Sequence, residues 1–256
     1  MKVSIFYLSN RKISRDVVSV VKEWAEKEGI DIVEMKPVGD FAIAIGGDGT
    51  LLRAAREINK KGIPILGINT GGLGFLTEVP RDEIKEALKT LLSKKYKIEQ
   101  RIVLSTKLKE KCIYALNDIA ITMKDLRMIY LSIYVNGEFV TSVGADGLIV
   151  STPTGSTAYS LSCGGPILTP DLSGFVITPI SPHTLSFRPI VVPMDKKIEI
   201  ILEKNEAIVI ADGQQGFNLN VGMKISIEKA DFYINLIRTG RRTYFDILRN
   251  KLHWGG

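Results

Sequence analysis

The segment with the clearest chemical potential is Gly-Gly-Asp-Gly-Thr at residues 46–50, which follows an apolar run at 41–45. Glycines after a buried strand let the backbone turn sharply and let a ligand approach the main chain. The helix expected to begin near Leu51 directs its first N–H groups at this turn, which suits a phosphate. The predicted phosphate loop comprises Gly46, Gly47, Gly49 and Thr50.

Asp48 is the acidic residue of this loop. Beside a phosphate, a carboxylate can accept the proton of an attacking hydroxyl or help to hold a metal ion. The alternative is that Asp48 only caps the following helix. The buried strand and the glycines around Asp48 favour the functional interpretation, and the lack of GxxxxGK[ST] excludes a P-loop enzyme.

A second glycine-rich segment, Ile-Asn-Thr-Gly-Gly-Leu-Gly-Phe-Leu, occupies residues 68–76 after another apolar run. Two adjacent parallel strands that end in such loops form a crevice, the usual ligand position in open α/β sheets. The spacing does not fit GxGxxG, so a plain loop also explains this segment.

The third candidate is rich in hydroxyl groups: eight of the twelve residues at 151–162 are Ser, Thr or Tyr. Such hydroxyls can bind the sugar and carboxamide of a nucleotide, and Tyr159 can stack on a base. A turn followed by a capped helix is the alternative. Ser156 is not in a GxSxG elbow, which argues against a serine hydrolase.

The hydrophobic pattern predicts two domains that would position these segments. Strand and helix patterns alternate through residue 97, which predicts an α/β N-terminal domain with an open parallel sheet. Strand patterns dominate residues 98–240, with an Asn-Gly hairpin at 136–137, a short helix near 158–163 and a turn at 212–216. They predict an all-β C-terminal domain. A C-terminal helix within 241–256 is expected to return to the first domain.

Composition excludes several classes of function. The net charge is +6, but the basic residues are not clustered, so a nucleic-acid-binding role is not expected. No apolar run is long enough to cross a membrane, and the N-terminus lacks signal-peptide features, so we expect a cytoplasmic protein. Two scattered cysteines and two histidines provide little material for a metal site.

Taken together, these segments resemble the NAD kinase family. The Gly-Gly-Asp-Gly loop, the Asn-Thr-Gly-Gly-Leu-Gly-Phe-Leu segment and Thr-Pro-Thr-Gly-Ser-Thr-Ala-Tyr-Ser at 152–160 occur in the family's order. Lipid kinases and phosphofructokinases carry similar Gly-Gly-Asp-Gly loops. The Thr-Pro-Thr-Gly-Ser-Thr-Ala-Tyr motif is far more specific, and it decides the assignment.

The resemblance implies transfer of a phosphoryl group from ATP or polyphosphate to the 2′-hydroxyl of the adenosine ribose of NAD. It further implies a divalent metal, for which Mg²⁺ is expected, and a homodimer or homotetramer. Asp48 matches the family's catalytic aspartate. The NAD-binding residues that the resemblance implies are Asp48, Gly49, Arg53, Asn117, Asp118, Arg127, Asp146, Thr157, Ala158, Tyr159, Ser160, Leu161, Ser162 and Gln215.

Two positions depart from the family pattern. Asp118 stands where the family has Glu, so its carboxylate lies about one methylene further from the ribose. Gly144 stands where many relatives have a basic residue. Two other functions are considered: a lipid or sugar kinase with the same loop, and a non-catalytic NAD-binding regulator.

Overall fold

The computed structural model describes residues 1–10, 12–108 and 110–255. The strands are β1 (Lys2–Tyr7), β2 (Asp31–Glu34), β3 (Phe41–Ile45), β4 (Ile65–Ile68), β5 (Lys97–Leu108), β6 (Lys111–Ala115), β7 (Asp118–Met123), β8 (Ile129–Val135), β9 (Glu138–Ala145), β10 (Gly147–Ser151), β11 (Gly174–Ile180), β12 (Ile190–Pro193), β13 (Ile198–Lys204), β14 (Ala207–Ala211), β15 (Gln215–Leu219) and β16 (Lys224–Arg238). The helices are α1 (Lys12–Lys27), α2 (Asp48–Ile58), α3 (Ile84–Leu92), α4 (Tyr159–Ser162) and α5 (Tyr244–Leu252).

The chain forms two compact units. Unit 1 comprises Met1–Arg101 and Tyr233–Gly256, so it includes α5, and unit 2 comprises Ile102–Phe232. The chain leaves unit 1 within β5 and re-enters it within β16. The hydrophobic pattern predicts a C-terminal domain at 98–240, and unit 2 begins and ends a few residues inside these limits.

Unit 1 contains a parallel sheet in the order β2-β1-β3-β4, and the C-terminal part of β16 adds to β4 in parallel. Alternate residues of β3 explain how helices cover it. Phe41, Ile43 and Ile45 belong to one core cluster with residues of α1 and α3. Ala42 and Ala44 project from the opposite face, where α2 packs against the strand.

Unit 2 is built almost entirely from antiparallel strands. One sheet has the order β12-β11-β10-β7-β14-β15. Another set pairs β16 with β13, β13 with β8 and β8 with β9. The β8–β9 hairpin turns at Asn136 and Gly137, both with positive φ, which confirms the Asn-Gly prediction.

One predicted boundary was wrong: α2 begins at Asp48 instead of near Leu51. Asp48 is therefore the first residue of the helix and not part of a preceding loop.

Candidate active site

The turn between β3 and α2 depends on a glycine that no other residue can replace without rearrangement. Gly46 has φ +155°, and a Cβ at this position would overlap the side chain of Thr50. The Gly46 N–H donates to the carbonyl oxygen of Ile68 at 2.9 Å, which joins the ends of β3 and β4. Thr50 is itself buried, and its N–H donates to the carbonyl oxygen of Gly47. Gly46 and Thr50 therefore shape the turn, whereas their predicted role was phosphate contact.

Asp48 does not cap α2. Gly47 is the N-cap residue, and no side chain caps the helix within the described part of the chain. The Asp48 carboxylate instead accepts hydrogen bonds from the second glycine-rich segment. The donors are Phe75 N to Oδ2 at 2.9 Å, and Leu76 N at 3.0 Å, Thr77 N at 3.0 Å and Thr77 Oγ1 at 2.9 Å to Oδ1. Four hydrogen bonds fix the carboxylate at the start of the helix.

The second glycine-rich segment is ordered by close backbone approach. After β4 the chain folds back, so that the Val79 N–H donates to the carbonyl oxygen of Gly67 at 3.2 Å. A Cβ at Gly67 would overlap the backbone of this returning segment, and a Cβ at Gly74 would overlap Asp48 and Thr77. Buried Asn69 donates to Thr77 Oγ1 at 2.7 Å. The two glycine-rich segments thus form one hydrogen-bonded structure, which sequence spacing alone left open.

A partly buried ion-pair network supports the same segment from β16. Arg238 donates through Nε to Glu99 at 2.6 Å and through Nη1 to Glu78 at 3.3 Å. Its guanidinium also reaches the carbonyl oxygens of Phe75 and Leu76 at 3.4 Å. Glu78 is only 2% exposed. Sequence reasoning missed Arg238, because 139 to 163 positions separate it from the residues it contacts and no local pattern marks it.

In unit 2, Asn117 and Asp118 lie where β7 begins. Thr152 Oγ1 donates to the carbonyl oxygens of Leu116 at 2.6 Å and Asn117 at 3.2 Å, and the Thr152 N–H also donates to Asn117. Gly155 packs so closely on the Asn117 carbonyl that a Cβ would overlap it. The hydroxyl-rich segment therefore holds the main chain of Asn117 and Asp118, two of the predicted NAD-binding residues.

Asp118 is 5% exposed and lies beside a second carboxylate, that of Asp212. Burial, and next the nearby charge of Asp212, raise the pKa of Asp118 to about 7. Sequence reasoning treated the turn at 212–216 as a plain hairpin loop and did not select Asp212. Asp118 is also close enough to Tyr159 and Cys163 for its charge to raise the pKa of each, after the larger effect of burial.

The Asp118→Asn variant is expected to be more stable than the wild type above neutral pH. The folded state holds a proton that the unfolded state releases, so the free energy of unfolding falls as pH rises from 3.8 to about 7. At about 1.4 kcal/mol per pH unit, this fall reaches ~4 kcal/mol. Urea denaturation at pH 5 and pH 8 should record roughly 3 kcal/mol of this fall, the part above pH 5, so the advantage of the variant should grow with pH. A constant difference between variant and wild type at both pH values would contradict this.

Burial divides the hydroxyl-rich segment into two groups. Ser156 donates to the carbonyl oxygen of Pro153, and Ser160 shares a buried hydrogen bond with Thr178 at 2.8 Å. Tyr159, by contrast, is 43% exposed. The remaining predicted NAD-binding residues of this segment that are partly or fully exposed are Thr157, Ala158, Leu161 and Ser162. Fewer hydroxyls are thus available to a ligand than the sequence suggests.

The other predicted contacts occupy varied positions. Arg53 is half-buried on α2, and Arg127 is exposed in the turn before β8. Asp146 joins β9 to β10 and is half-buried, and Gln215 begins β15. At Gly144 a Cβ would crowd Met128 and Tyr130. Within the described residues, no group of three His, Cys, Asp or Glu side chains could hold a metal ion.

A carboxylate fixed at the first residue of a helix, where a phosphate is favoured, is placed to orient a hydroxyl that attacks a phosphate, as a phosphoryl-transfer enzyme requires. The comparisons with known proteins specify the family. Residues 9–96 match the ATP-NAD kinase N-terminal domain, and residues 116–239 match the ATP-NAD kinase C-terminal domain. This chain belongs to the ATP-NAD kinase family.

Relatives and solved structures agree with this assignment. The NAD kinase of Heliobacterium modesticaldum is 45% identical over 84% of this chain and 79% of that protein. The NAD kinase of Geobacter metallireducens is 40% identical over 98% of this chain and 92% of that protein. The crystal structure of an NAD kinase from Archaeoglobus fulgidus in complex with ATP has a TM-score of 0.85 at 32% identity, covering 98% of this chain and 99% of that one. Yeast NADH kinase complexed with NADH shares the fold, with a TM-score of 0.92 at 24% identity over 100% of this chain and 88% of that one.

Proposed function

We infer that this chain is an NAD kinase, which transfers the γ-phosphoryl group of ATP to the 2′-hydroxyl of the adenosine ribose of NAD and so produces NADP. The observation that carries the proposal is the fixed Asp48 carboxylate at the start of α2, in a chain whose two halves match the two ATP-NAD kinase domains. The hydroxyl-rich segment at 152–162 supports NAD as the acceptor.

Asp48 is proposed as the general base. As the ribose 2′-oxygen forms its bond to the γ-phosphorus, the bond from that phosphorus to the β–γ bridging oxygen breaks and ADP leaves. The hydroxyl proton passes to the Asp48 carboxylate. Little covalent chemistry is required of the protein, so the value of Asp48 lies in its fixed position and its charge.

The phosphates are proposed to bind at the start of α2. The N–H groups of Gly47 and Asp48 donate to no main-chain acceptor in the part of the chain that the structure describes. They lie at the positive end of the helix, where a phosphate is favoured. The N–H groups of Gly46 and Thr50, which the sequence also predicts as phosphate contacts, already donate to Ile68 and Gly47, so these two N–H groups are not offered to a phosphate.

A divalent metal, for which we propose Mg²⁺, fits this site only together with the phosphates of ATP. The described residues offer no cluster of three potential ligands. Mg²⁺ commonly binds through one or two carboxylates plus substrate phosphates, so this arrangement is compatible with it. Phosphate oxygens of ATP would bind the ion directly, because Asp48 Oδ2, which accepts one hydrogen bond, is left to take the ribose proton. When bound, the metal neutralises phosphate charge.

The proposed NAD contacts are those that the family resemblance implies. In unit 1 they are Asp48, Gly49 and Arg53. Arg53 makes no hydrogen bond or ion pair with another described residue. In unit 2, Asn117 and Asp118 would hold adenosine, and Tyr159 would stack on a base. The remaining proposed contacts are Arg127, Asp146, Thr157, Ala158, Ser160, Leu161, Ser162 and Gln215. Ser160 would act through its main chain, since its hydroxyl is bonded to Thr178.

The family resemblance further supports polyphosphate as an alternative donor, a homodimer or homotetramer, and a cytoplasmic location. Separately, no helix among the described residues has the length and apolar character needed to cross a bilayer.

The direct test incubates the protein with NAD, ATP and Mg²⁺ and measures NADP with an NADP-specific dehydrogenase. NADP must appear in proportion to enzyme. A protein that binds NAD without forming NADP would instead be a non-catalytic regulator. Parallel incubations with a lipid or sugar acceptor test the other kinase class.

The Gly49→Ala variant is expected to weaken substrate binding without destabilising the protein. A Cβ at Gly49 meets no protein atom within 4 Å, and Ala favours the helix by up to about 1 kcal/mol. The methyl group would therefore collide only with a bound ligand, and we expect KM for ATP or NAD to rise roughly tenfold, as for the loss of ~1.4 kcal/mol. Steady-state kinetics and thermal melting separate the two effects. Unchanged KM values for both substrates would remove Gly49 from the proposed site.

A further inference from the structure

The Asn117–Asp118 segment is held on two sides by side chains from distant parts of unit 2. Its carbonyl oxygens accept from Thr152, as described above. Its N–H groups donate to Asp212: Leu116 N to Oδ2 at 2.9 Å, Asn117 N to Oδ1 at 2.7 Å and Asp118 N to Oδ1 at 3.3 Å. One carboxylate thus receives three successive main-chain N–H groups from a segment about 95 positions away.

The attachment is reciprocal. The Asp212 N–H donates to the carbonyl oxygen of Asp118 at 3.0 Å. Asp212 has φ +50° and Gly213 has φ +63°, so both adopt left-handed conformations in the β14–β15 turn. A non-glycine residue in this conformation is uncommon, and Asp is among the residues that tolerate it. The turn itself is closed by Gln214 N donating to the carbonyl oxygen of Ala211.

We propose that Asp212 is a positioning residue for NAD recognition, which fixes the main chain at 116–118 so that Asn117 and Asp118 present their side chains to the adenosine of the substrate. This inference rests on the proposed function and deepens it. A carboxylate is the group suited to this task, since each oxygen accepts more than one hydrogen bond and neither donates. An amide would place a donor against one of the N–H groups.

The charge of Asp212 adds an electrostatic consequence. The titratable groups around Asp118 are Asp212 from the β14–β15 turn, and Tyr159 and Cys163 from α4 and its end. Asp212 raises the pKa of Asp118, second only to burial. Neutralising Asp212 should therefore lower the pKa of Asp118 while leaving the larger effect of burial in place.

The test compares Asp212→Asn with Asp195→Asn, which removes an exposed carboxylate from the same unit. We expect Asp212→Asn to raise KM for NAD about tenfold, because hydrogen bonds to a charged group are lost. KM for ATP should be unchanged, kcat should stay within about threefold, and Asp195→Asn should match the wild type.

The pH midpoint of kcat/KM for NAD should move to lower pH in Asp212→Asn. In an Asn117→Ala background the effect of Asp212→Asn should shrink, since it acts through that segment.

Two results would overturn the proposal: equal KM for NAD in Asp212→Asn and Asp195→Asn, or an equal rise in both KM values without a shift in the pH midpoint. If Asp212→Asn does not fold, NMR of the wild-type protein decides. The amide protons of Leu116, Asn117 and Asp118 should all exchange slowly with solvent, and fast exchange of any of them would refute the shared carboxylate. A wild-type protein that forms no NADP refutes the proposed function instead, and the NMR measurement does not depend on that outcome.

Discussion

The Asp48→Asn variant is expected to lose between about 10²-fold and 10⁴-fold in kcat, the range that a positioned general base contributes. The amide cannot accept the ribose proton. The structure adds a second cost, because an amide nitrogen must face at least one of the N–H groups that now donate to the carboxylate. Measurement of kcat and of the NAD dissociation constant separates these effects.

Affinity for NAD in Asp48→Asn is expected to stay within about threefold of the wild type, since the other proposed contacts remain. Asp16→Asn, on the exposed side of α1, provides a matched control that should behave as the wild type. Equal kcat for Asp48→Asn and wild type would refute the proposed base. A collapse of both NAD affinity and thermal stability would indicate that Asp48 acts mainly by holding the second glycine-rich segment.

Gly74→Ala is expected to lower turnover roughly 100-fold without removing any functional group. A methyl group at this position would overlap the Asp48 carboxylate and the Thr77 hydroxyl, so one of them must move. Displacement of a reacting group by about 1 Å can cost on the order of 10²-fold in rate. Crowding should also lower the free energy of unfolding by about 1–3 kcal/mol. Steady-state kinetics and urea denaturation measure the two effects.

Gly72→Ala is the control for this variant. Gly72 lies two residues earlier and is exposed, whereas Gly74 is buried, and a Cβ at Gly72 meets nothing within 4 Å. We expect Gly72→Ala to retain near-wild-type turnover. If Gly72→Ala and Gly74→Ala lose activity equally, the segment is sensitive to any substitution, and the specific contact between Gly74 and Asp48 is not the cause.

Local periodicity predicted much of unit 1 correctly, for a physical reason. Buried strands such as Phe41–Ile45 and amphipathic helices such as α1 and α3 are encoded by neighbouring residues, so their pattern is visible in sequence. The predictions failed where tertiary contacts set the limits of an element. Helix α2 begins at Asp48, earlier than predicted, and the Asp48 carboxylate accepts hydrogen bonds from another segment. No local propensity records such a contact.

The strands of unit 2 were harder to delimit. In an antiparallel sheet, a short strand such as β12 or β15 is stabilised by its partners and not by its own pattern. The same limitation explains why the sequence did not identify Asp212 as a functional residue. Its turn signature is that of an ordinary hairpin, and its importance depends on Leu116, Asn117 and Asp118 lying beside it.

The sequence by itself determined the chemical inventory and the family. The Gly-Gly-Asp-Gly-Thr segment predicts a phosphate site with an acid, and the hydroxyl-rich segment at 152–162 predicts NAD as the ligand. Both are local strings, and their chemistry follows from residue types at short spacing. The tertiary structure alone decided how each group is held. In the folded chain, Asp48 accepts hydrogen bonds from residues 75–77, and Arg238 donates to the carbonyl oxygen of Phe75. Asp212 accepts hydrogen bonds from residues 116–118. These arrangements depend on contacts between residues that are distant along the chain, so no spacing within the sequence could reveal them.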